Sequence, residues 1–246
     1  MIIMNEVKKI VKDKYSQIAA QQTASCGCSC KTKNEVSEEI GYTKEQLESV
    51  GEANLGLGCG NPTAFSNIKP GDTVIDLGSG AGIDCFLASK KTGPNGKVIG
   101  IDFTEAMIAK AKANAIKGGY DNVEFIFGDI EHLPLEDNAA DIIISNCVIN
   151  LAPDKQKVFN EAYRVLKPEG KMYVSDIVLL KELSAEQRKN EELIAGCVGG
   201  ALLKNDYLEK VKKAGFKVNV LSENKSISKQ QYNGIPLESL LVEAIK

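Results

Sequence analysis

The chain predicts one α/β domain built on a mostly parallel sheet flanked by helices, and three observations carry that expectation. From residue 72 onward, short apolar runs alternate with segments of helical length and periodicity. Runs such as Asp141-Ile-Ile-Ile-Ser145 are apolar without alternation, as strands covered on both faces are. A glycine-rich turn, Gly78-Ser-Gly80-Ala-Gly82, joins the first apolar run to the first helical one.

The 246 residues are 43% hydrophobic and 26% charged, enough for one substantial core. With 33 acidic against 30 basic side chains the net charge is only -3, so no footprint for nucleic acid or anionic lipid appears. The opening MIIMNEVKKIVKDKY lacks the long apolar stretch of a secretion signal, and no run approaches the roughly 18 apolar residues that span a bilayer. A cytoplasmic protein, without membrane or nucleic-acid partners and monomeric, is expected. Its seven cysteines are then ligands, nucleophiles or redox groups rather than structural disulfides.

Residues 4 to 20 place Val7, Ile10, Val11, Tyr15, Ile18 and Ala19 on one helical stripe, ending before a Cys26-Gly-Cys28-Ser-Cys30 loop. Thr43 and Gln46 have capping-box spacing, and the stretch from Asn54 to Pro62 is too glycine-rich for helix or strand. Strands are expected at Thr73–Leu77, Lys97–Asp102, Val123–Phe127, Asp141–Asn146 and Lys171–Val178. Helices fall at about Gly82–Lys91, from a Thr104 cap to Gly118-Gly119, and at about Asp154–Leu166. Ser184–Ala195 and Asp206–Ala214 read as helices, Gly215 as a stop, and Phe216–Leu221 and Ser239–Ala244 as strands that complete the sheet.

Asp76 ends the first strand just before the glycines, and Ile83 stands where a dinucleotide fingerprint needs a small residue, which argues against NAD. Asp102 closes the second strand, where a carboxylate can accept from both hydroxyls of a ribose. Together Asp76-Leu-Gly78-Ser79-Gly80-Ala-Gly82, Ile-Asp102-Phe, Gly-Asp129 and Arg164-Val-Leu-Lys-Pro-Glu-Gly170 resemble the ordered motifs of class I S-adenosylmethionine (SAM)-dependent methyltransferases. The resemblance implies a seven-stranded Rossmann-like sheet and SAM as cofactor. It implies that Gly78 and Gly80 line the methionine part, Asp102 holds the ribose, Phe103 or Met107 flanks the adenine, and Asp129 and Ile130 meet its edge. Asp76, Ser79, Gly82 and Asn146 complete the expected cofactor set, while Asp84 reads either as a contact to the SAM amino group or as a helix-dipole partner.

Cys147 follows the fourth strand, at the end of the sheet where ligands sit in open α/β folds. Cys59 lies in the glycine-rich loop and Cys197 in Ala-Gly-Cys197-Val-Gly-Gly-Ala201, and both segments can fold over the same end. Three thiolates suit a soft ion, and a single histidine, His132, argues against a mixed Cys/His zinc site. Cys85 reads as a core thiol and His132 as solvent-facing. Leu-Gly-Cys59-Gly-Asn-Pro62, Asp84-Cys85, Ser-Asn-Cys147-Val-Ile-Asn-Leu and Gly-Cys197-Val-Gly-Gly-Ala resemble the arsenite methyltransferases over nearly the whole length.

That resemblance implies As(III), as arsenite or a thiol conjugate, bound by Cys59, Cys147 and Cys197. It also implies a protein disulfide formed in turnover and reduced by an external thiol such as thioredoxin or glutathione. One N-terminal cysteine serves as resolving thiol in the family; here Cys26, Cys28 and Cys30 compete for the role. The expected layout is an N-terminal cap over 1–66, a SAM-binding core over 67–180 and a substrate segment over 181–246. Two other readings fit part of the pattern: a SAM-dependent C- or O-methyltransferase of a small metabolite such as a quinone precursor, and a thiol-based metalloid-binding protein without turnover.

Overall fold

Seven strands form a single sheet, and the computed structural model describes it within residues 4–20, 32–227, 232 and 234–246. The strands are β1 (Thr73–Leu77), β2 (Lys97–Asp102), β3 (Val123–Phe127), β4 (Ala140–Asn146), β5 (Leu166–Leu179), β6 (Lys217–Asn224) and β7 (Leu237–Ile245). Their order is β3-β2-β1-β4-β5-β7-β6; β7 runs antiparallel between β5 and β6, and the other pairs are parallel. The chain steps outward from β1 to β3 and then returns to β4, so β1 and β4 flank the point where the order reverses. A crevice opens there at the carboxyl ends of the strands.

Successive side chains of the central strands alternate between two apolar layers. Val74, Val98, Ile142, Ile144, Tyr173 and Ile177 enter one layer; Ile75, Leu77, Ile99, Ile143, Met172 and Val174 enter the other. Both layers are covered, so the interiors of β1 and β4 carry the unbroken apolar runs Val74-Ile75 and Ile142-Ile143-Ile144. The helices are α1 (Met4–Ala20), α2 (Lys33–Glu39), α3 (Lys44–Val50), α4 (Pro62–Phe65), α5 (Ile83–Thr92), α6 (Glu105–Gly118), α7 (Lys155–Val165), α8 (Ala185–Lys189), α9 (Glu191–Ala195) and α10 (Lys204–Lys213). The stripe of α1 packs inward, with Val11 and Ala19 buried, and the helix touches both α6 and α9. The Thr43 box forms as expected: its hydroxyl accepts from the Gln46 amide at 3.2 Å, and its amide donates to Gln46 Oε1 at 2.9 Å.

Several local expectations are corrected. The span Ser184–Ala195 is two helices, because Asn190 is extended (φ -71°, ψ 118°) and its side chain caps the Leu193 amide of a new start. Thr104 stands at the N-cap of α6 without capping it; its amide donates to Asp102 Oδ1 at 2.8 Å and its hydroxyl also turns to that carboxylate. Pro62 is not loop but the first residue of α4, with Asn61 accepting from the Ala64 amide. Leu166 belongs to β5 rather than to α7, pairing with Ala140 before a register shift. No helix of the described residues is long and apolar enough to cross a membrane.

Phe159 of α7 is fully buried and meets the Tyr207 ring edge-on, with centroids 5.4 Å apart. Phe159→Ala is therefore expected to lower stability by about 3–5 kcal/mol in urea unfolding, and a loss below ~1 kcal/mol would show that this layer is not close-packed.

Candidate active site

A cavity of about 480 Å³ occupies the crevice above β1 and β4. At one end the chain turns from β1 into α5. The amides of Gly78 and Ser79 both donate to the Ile101 carbonyl, at 2.7 and 3.0 Å, which ties the turn to β2. Gly78 has φ +72°, and a Cβ there would strike Val148; Gly80 has φ +51° and faces open space. The Gly80 amide donates to Asp102 Oδ2 at 3.0 Å, so each Asp102 oxygen accepts one backbone N–H and keeps acceptor capacity for a second donor. Burial pushes the Asp102 carboxyl up, and the Thr104 and Gly80 amides pull it back. Ser79 Oγ is buried without a hydrogen-bond partner while its residue lines the cavity. An orphaned hydroxyl beside a receptive carboxylate and an open glycine fits a ribose-bearing ligand.

Phe103, Asp129 and Ile130 line the same end. Asp129 is closed off by α1: Lys8 Nζ lies 2.6 Å from its Oδ2 and 2.5 Å from Glu131 Oε2. Burial alone would lower the Lys8 ammonium and raise the Asp129 carboxyl, but their mutual hydrogen bonds reverse both shifts. Two members of the expected cofactor set do not reach the cavity. Met107 is fully buried with Ala19, Leu55 and Ala81 beneath α1. Gly82 is the left-handed residue before α5, and its missing side chain leaves room for Phe86 and Phe125. Asp76 does line the cavity, accepting from the Cys85 thiol at 3.2 Å, which accounts for Cys85 as a core group.

At the other end Cys147 and Cys197 line the cavity, while Cys59 lies just behind its wall, next to the lining residue Gly58. Cys59, Cys147 and Cys197 are 2%, 6% and 3% exposed, and the Cys147 thiol interacts with both of the others. Of the four non-glycine residues with positive φ among those described, two are Cys147 (59°) and Cys197 (67°), so backbone strain is concentrated where the thiols are presented. The Cys147 amide donates to the Ser175 carbonyl at 2.7 Å, which fixes the turn. The Cys197 thiol donates to the Cys147 carbonyl at 2.7 Å. Donor atoms of Cys59, Cys147 and Asp176 all lie within 4.8 Å of one another, whereas Cys197 is turned aside onto that carbonyl. Hydrogen bonds to Cys197 and Cys59 push the Cys147 thiol well up, and burial pushes up Cys59, so both are protonated at neutral pH. Cys26, Cys28 and Cys30 lie outside the described residues.

Asn146 joins the two ends, lining the cavity and clamping the Cys59 loop. Its Oδ1 accepts from the Cys59 amide at 3.1 Å; its Nδ2 donates to the Gly60 carbonyl at 2.7 Å and to Tyr42 Oη at 2.9 Å. Tyr42 Oη in turn donates to Asp84, whose carboxyl burial raises to about 6. The Asp84 side chain therefore serves this clamp as well as lining the cavity.

Comparison with known proteins gives this site a family. A family model described as a methyltransferase domain matches residues 68–215. Arsenite methyltransferase from Halobacterium salinarum is 44% identical over 224 residues, 86% of this chain and 57% of that protein. The human arsenite methyltransferase is 38% identical over 228 residues, 86% of this chain and 58% of that protein. The crystal structure of an arsenic(III) S-adenosylmethionine methyltransferase from Chlamydomonas reinhardtii superposes with a TM-score of 0.64 at 33% identity, covering 86% of this chain and 73% of that one. The chain belongs to the arsenite methyltransferase family. It spans a little over half the length of the curated relatives it matches.

Membership of the arsenite methyltransferases supports SAM as the cofactor, and the Gly78–Gly80 end offers an orphaned Ser79 hydroxyl and the Asp102 carboxylate. Sequence reasoning missed the polar bed under the thiols. Asp176, fully buried on β5, accepts from Asn150 Nδ2 at 2.8 Å and Tyr207 Oη at 3.2 Å. The Lys155 ammonium is buried on carbonyls of Asn150 and Ala152. An acid inside the apolar run of β5 was a usable signal for Asp176; nothing local marked Lys155 or the cavity-lining Tyr232.

Burial raises Asp176 to about 7 against the pull of the Ile177 amide and Lys155. With Asp84 at about 6, the folded chain holds protons that unfolded carboxyls release near pH ~4, so this contribution to stability is full below that and is lost as pH rises through about 7. Relative to the unsubstituted chain, Asp176→Asn should gain stability between pH 5 and pH 8 in urea midpoints; a difference independent of pH would contradict the assignment.

Proposed function

We propose that this chain methylates trivalent arsenic with SAM, arsenic being held by Cys59, Cys147 and Cys197. The observation that carries the reading is the Cys147 thiol, which interacts with both Cys59 and Cys197 and lines, with Cys197, the same cavity as Gly78, Ser79, Gly80 and Asp102. Protonated thiols suit the loading step. Arsenous acid condenses with three thiols to give three As–S bonds and three waters, each thiol proton leaving with a hydroxyl, so no external base is required. Cys197 needs only to release the Cys147 carbonyl and swing toward its neighbours.

Three sulfur ligands leave arsenic a lone pair at the apex of a pyramid. Bound SAM supplies an electrophilic methyl on a sulfonium. The strained turns at Cys147 and Cys197 hold the pyramid, and burial excludes the water that would hydrolyse As–S bonds. As the lone pair forms the As–C bond, the sulfonium–methyl bond breaks, its electron pair leaves with the thioether S-adenosylhomocysteine, and arsenic rises from the trivalent to the pentavalent state. Two protein thiolates return the electron pair and become a disulfide. An external thiol of the thioredoxin or glutathione class then reduces it, with Cys26, Cys28 or Cys30 as the resolving thiol. The described cysteines are all free, which suits a reducing cytoplasm.

Incubation with arsenite, SAM and a dithiol, followed by arsenic speciation, tests the reading. Cys59→Ser, Cys147→Ser and Cys197→Ser should each reduce methylated product to background. Single substitution of Cys26, Cys28 or Cys30 should leave the first methylated product. Tight arsenite binding with no product, or full activity in Cys147→Ser, would overturn it.

A further inference from the structure

We propose that Cys59, Cys147 and Asp176 form a binding site for a thiophilic divalent cation of the zinc and cadmium class, which competes with arsenic for two of its sulfurs. The site is carried by the donor set already gathered before any third thiol joins it: two sulfurs and one carboxylate oxygen within 4.8 Å of one another. Tetrahedral coordination with metal–sulfur bonds near 2.3 Å and metal–oxygen bonds near 2.1 Å places such donors roughly 3.6–3.8 Å apart. Closing the set onto one ion takes movement on the order of 1 Å, within the reach of side-chain rotation.

The carboxylate is built as metal-binding carboxylates are. Asp176 is fully buried and oriented by Asn150 Nδ2, Tyr207 Oη and the Ile177 amide at 2.8, 3.2 and 2.9 Å. Charge also closes. Two thiolates and a carboxylate around a divalent ion leave one net negative charge, and the buried Lys155 ammonium, which interacts with Asp176, offsets it. Each thiol gives its proton to solvent as its metal–sulfur bond forms, and Asp176 gives up the proton it holds in part near neutral pH, so between two and three protons are released per cation and no electron is transferred. The cavity beside Cys147 leaves room for water as the fourth ligand.

The choice of ion follows from which thiol is absent. Cys197 is engaged with the Cys147 carbonyl and stands outside the set. An ion that accepts mixed sulfur and oxygen ligands can use the arrangement as it stands, whereas a three-sulfur pyramid has to recruit Cys197. The other cluster of possible ligands among the described residues, Asp129, Glu131 and His132, already has Lys8 between its two carboxylates.

The test is titration of the reduced chain carrying Cys26→Ser, Cys28→Ser and Cys30→Ser with Cd(II), followed by the ultraviolet sulfur-to-cadmium charge-transfer band. One equivalent should bind and block arsenite binding. The band should vanish in Cys59→Ser and in Cys147→Ser, and the Cd(II) affinity should fall about 10-fold or more in Asp176→Asn. Cys197→Ser should keep Cd(II) binding while losing arsenite, which separates this proposal from the arsenic reading. A band that survives loss of Cys59 or Cys147, or disappears with Cys197, would overturn the proposal. If Asp176→Asn does not fold by circular dichroism, the cadmium-113 resonance decides: a shift for two sulfurs with oxygen supports the site, and one for three sulfurs refutes it.

Discussion

The Asn146 side chain is the joint on which the rest of the site depends. It stands at the carboxyl end of β4, beside the reversal of strand order, and its amide bonds the Cys59 N–H, the Gly60 carbonyl and Tyr42. Those bonds carry a loop from the N-terminal third of the chain onto the sheet and set Cys59 against Cys147. Because Gly58 approaches Asn146 so closely that a Cβ there would lie 2.9 Å from Nδ2, the loop has to be glycine at that point. The glycine richness of residues 54–62 is thus a requirement of close approach rather than of flexibility.

Electrostatics around the joint reduce the negative charge of the resting site. Asp76, Asp84 and Asp176 are buried and pushed up, and Cys59 and Cys147 are pushed up with them. Buried charge without a partner is costly, so the thiols keep their protons at neutral pH until a ligand displaces them, and Asp176 keeps its proton in part. Water-forming condensation of arsenous acid with thiols and proton-releasing capture of a divalent cation are two outlets for the same stored protons. Lys155 is the buried cation that makes an anionic loaded state tolerable.

The central strands could be read from the chain because burial on both faces writes itself as continuous apolar runs, as in Ile142-Ile143-Ile144. The glycine turn and Asp102 were legible for a similar reason: each answers a local backbone demand. What escaped depends on partners far away in sequence. Met107 has the right place for an adenine contact, yet α1 covers it, and Thr104 has cap chemistry, yet Asp102 claims it. Asn190 broke a helix whose periodicity ran straight through it. Asp176 left a local mark as an acid within the apolar run of β5, but its approach to Cys59 and Cys147 left none, since it depends on how distant stretches of chain meet.

In the proposed loaded state, one arsenic atom takes all its ligands from Cys59, Cys147 and Cys197. Arsenic K-edge X-ray absorption on the arsenite-loaded chain, with Cys26, Cys28 and Cys30 replaced by serine, measures this directly. The expected first shell is three sulfurs and no oxygen. A shell of two sulfurs with an oxygen, or one dominated by oxygen, would contradict it.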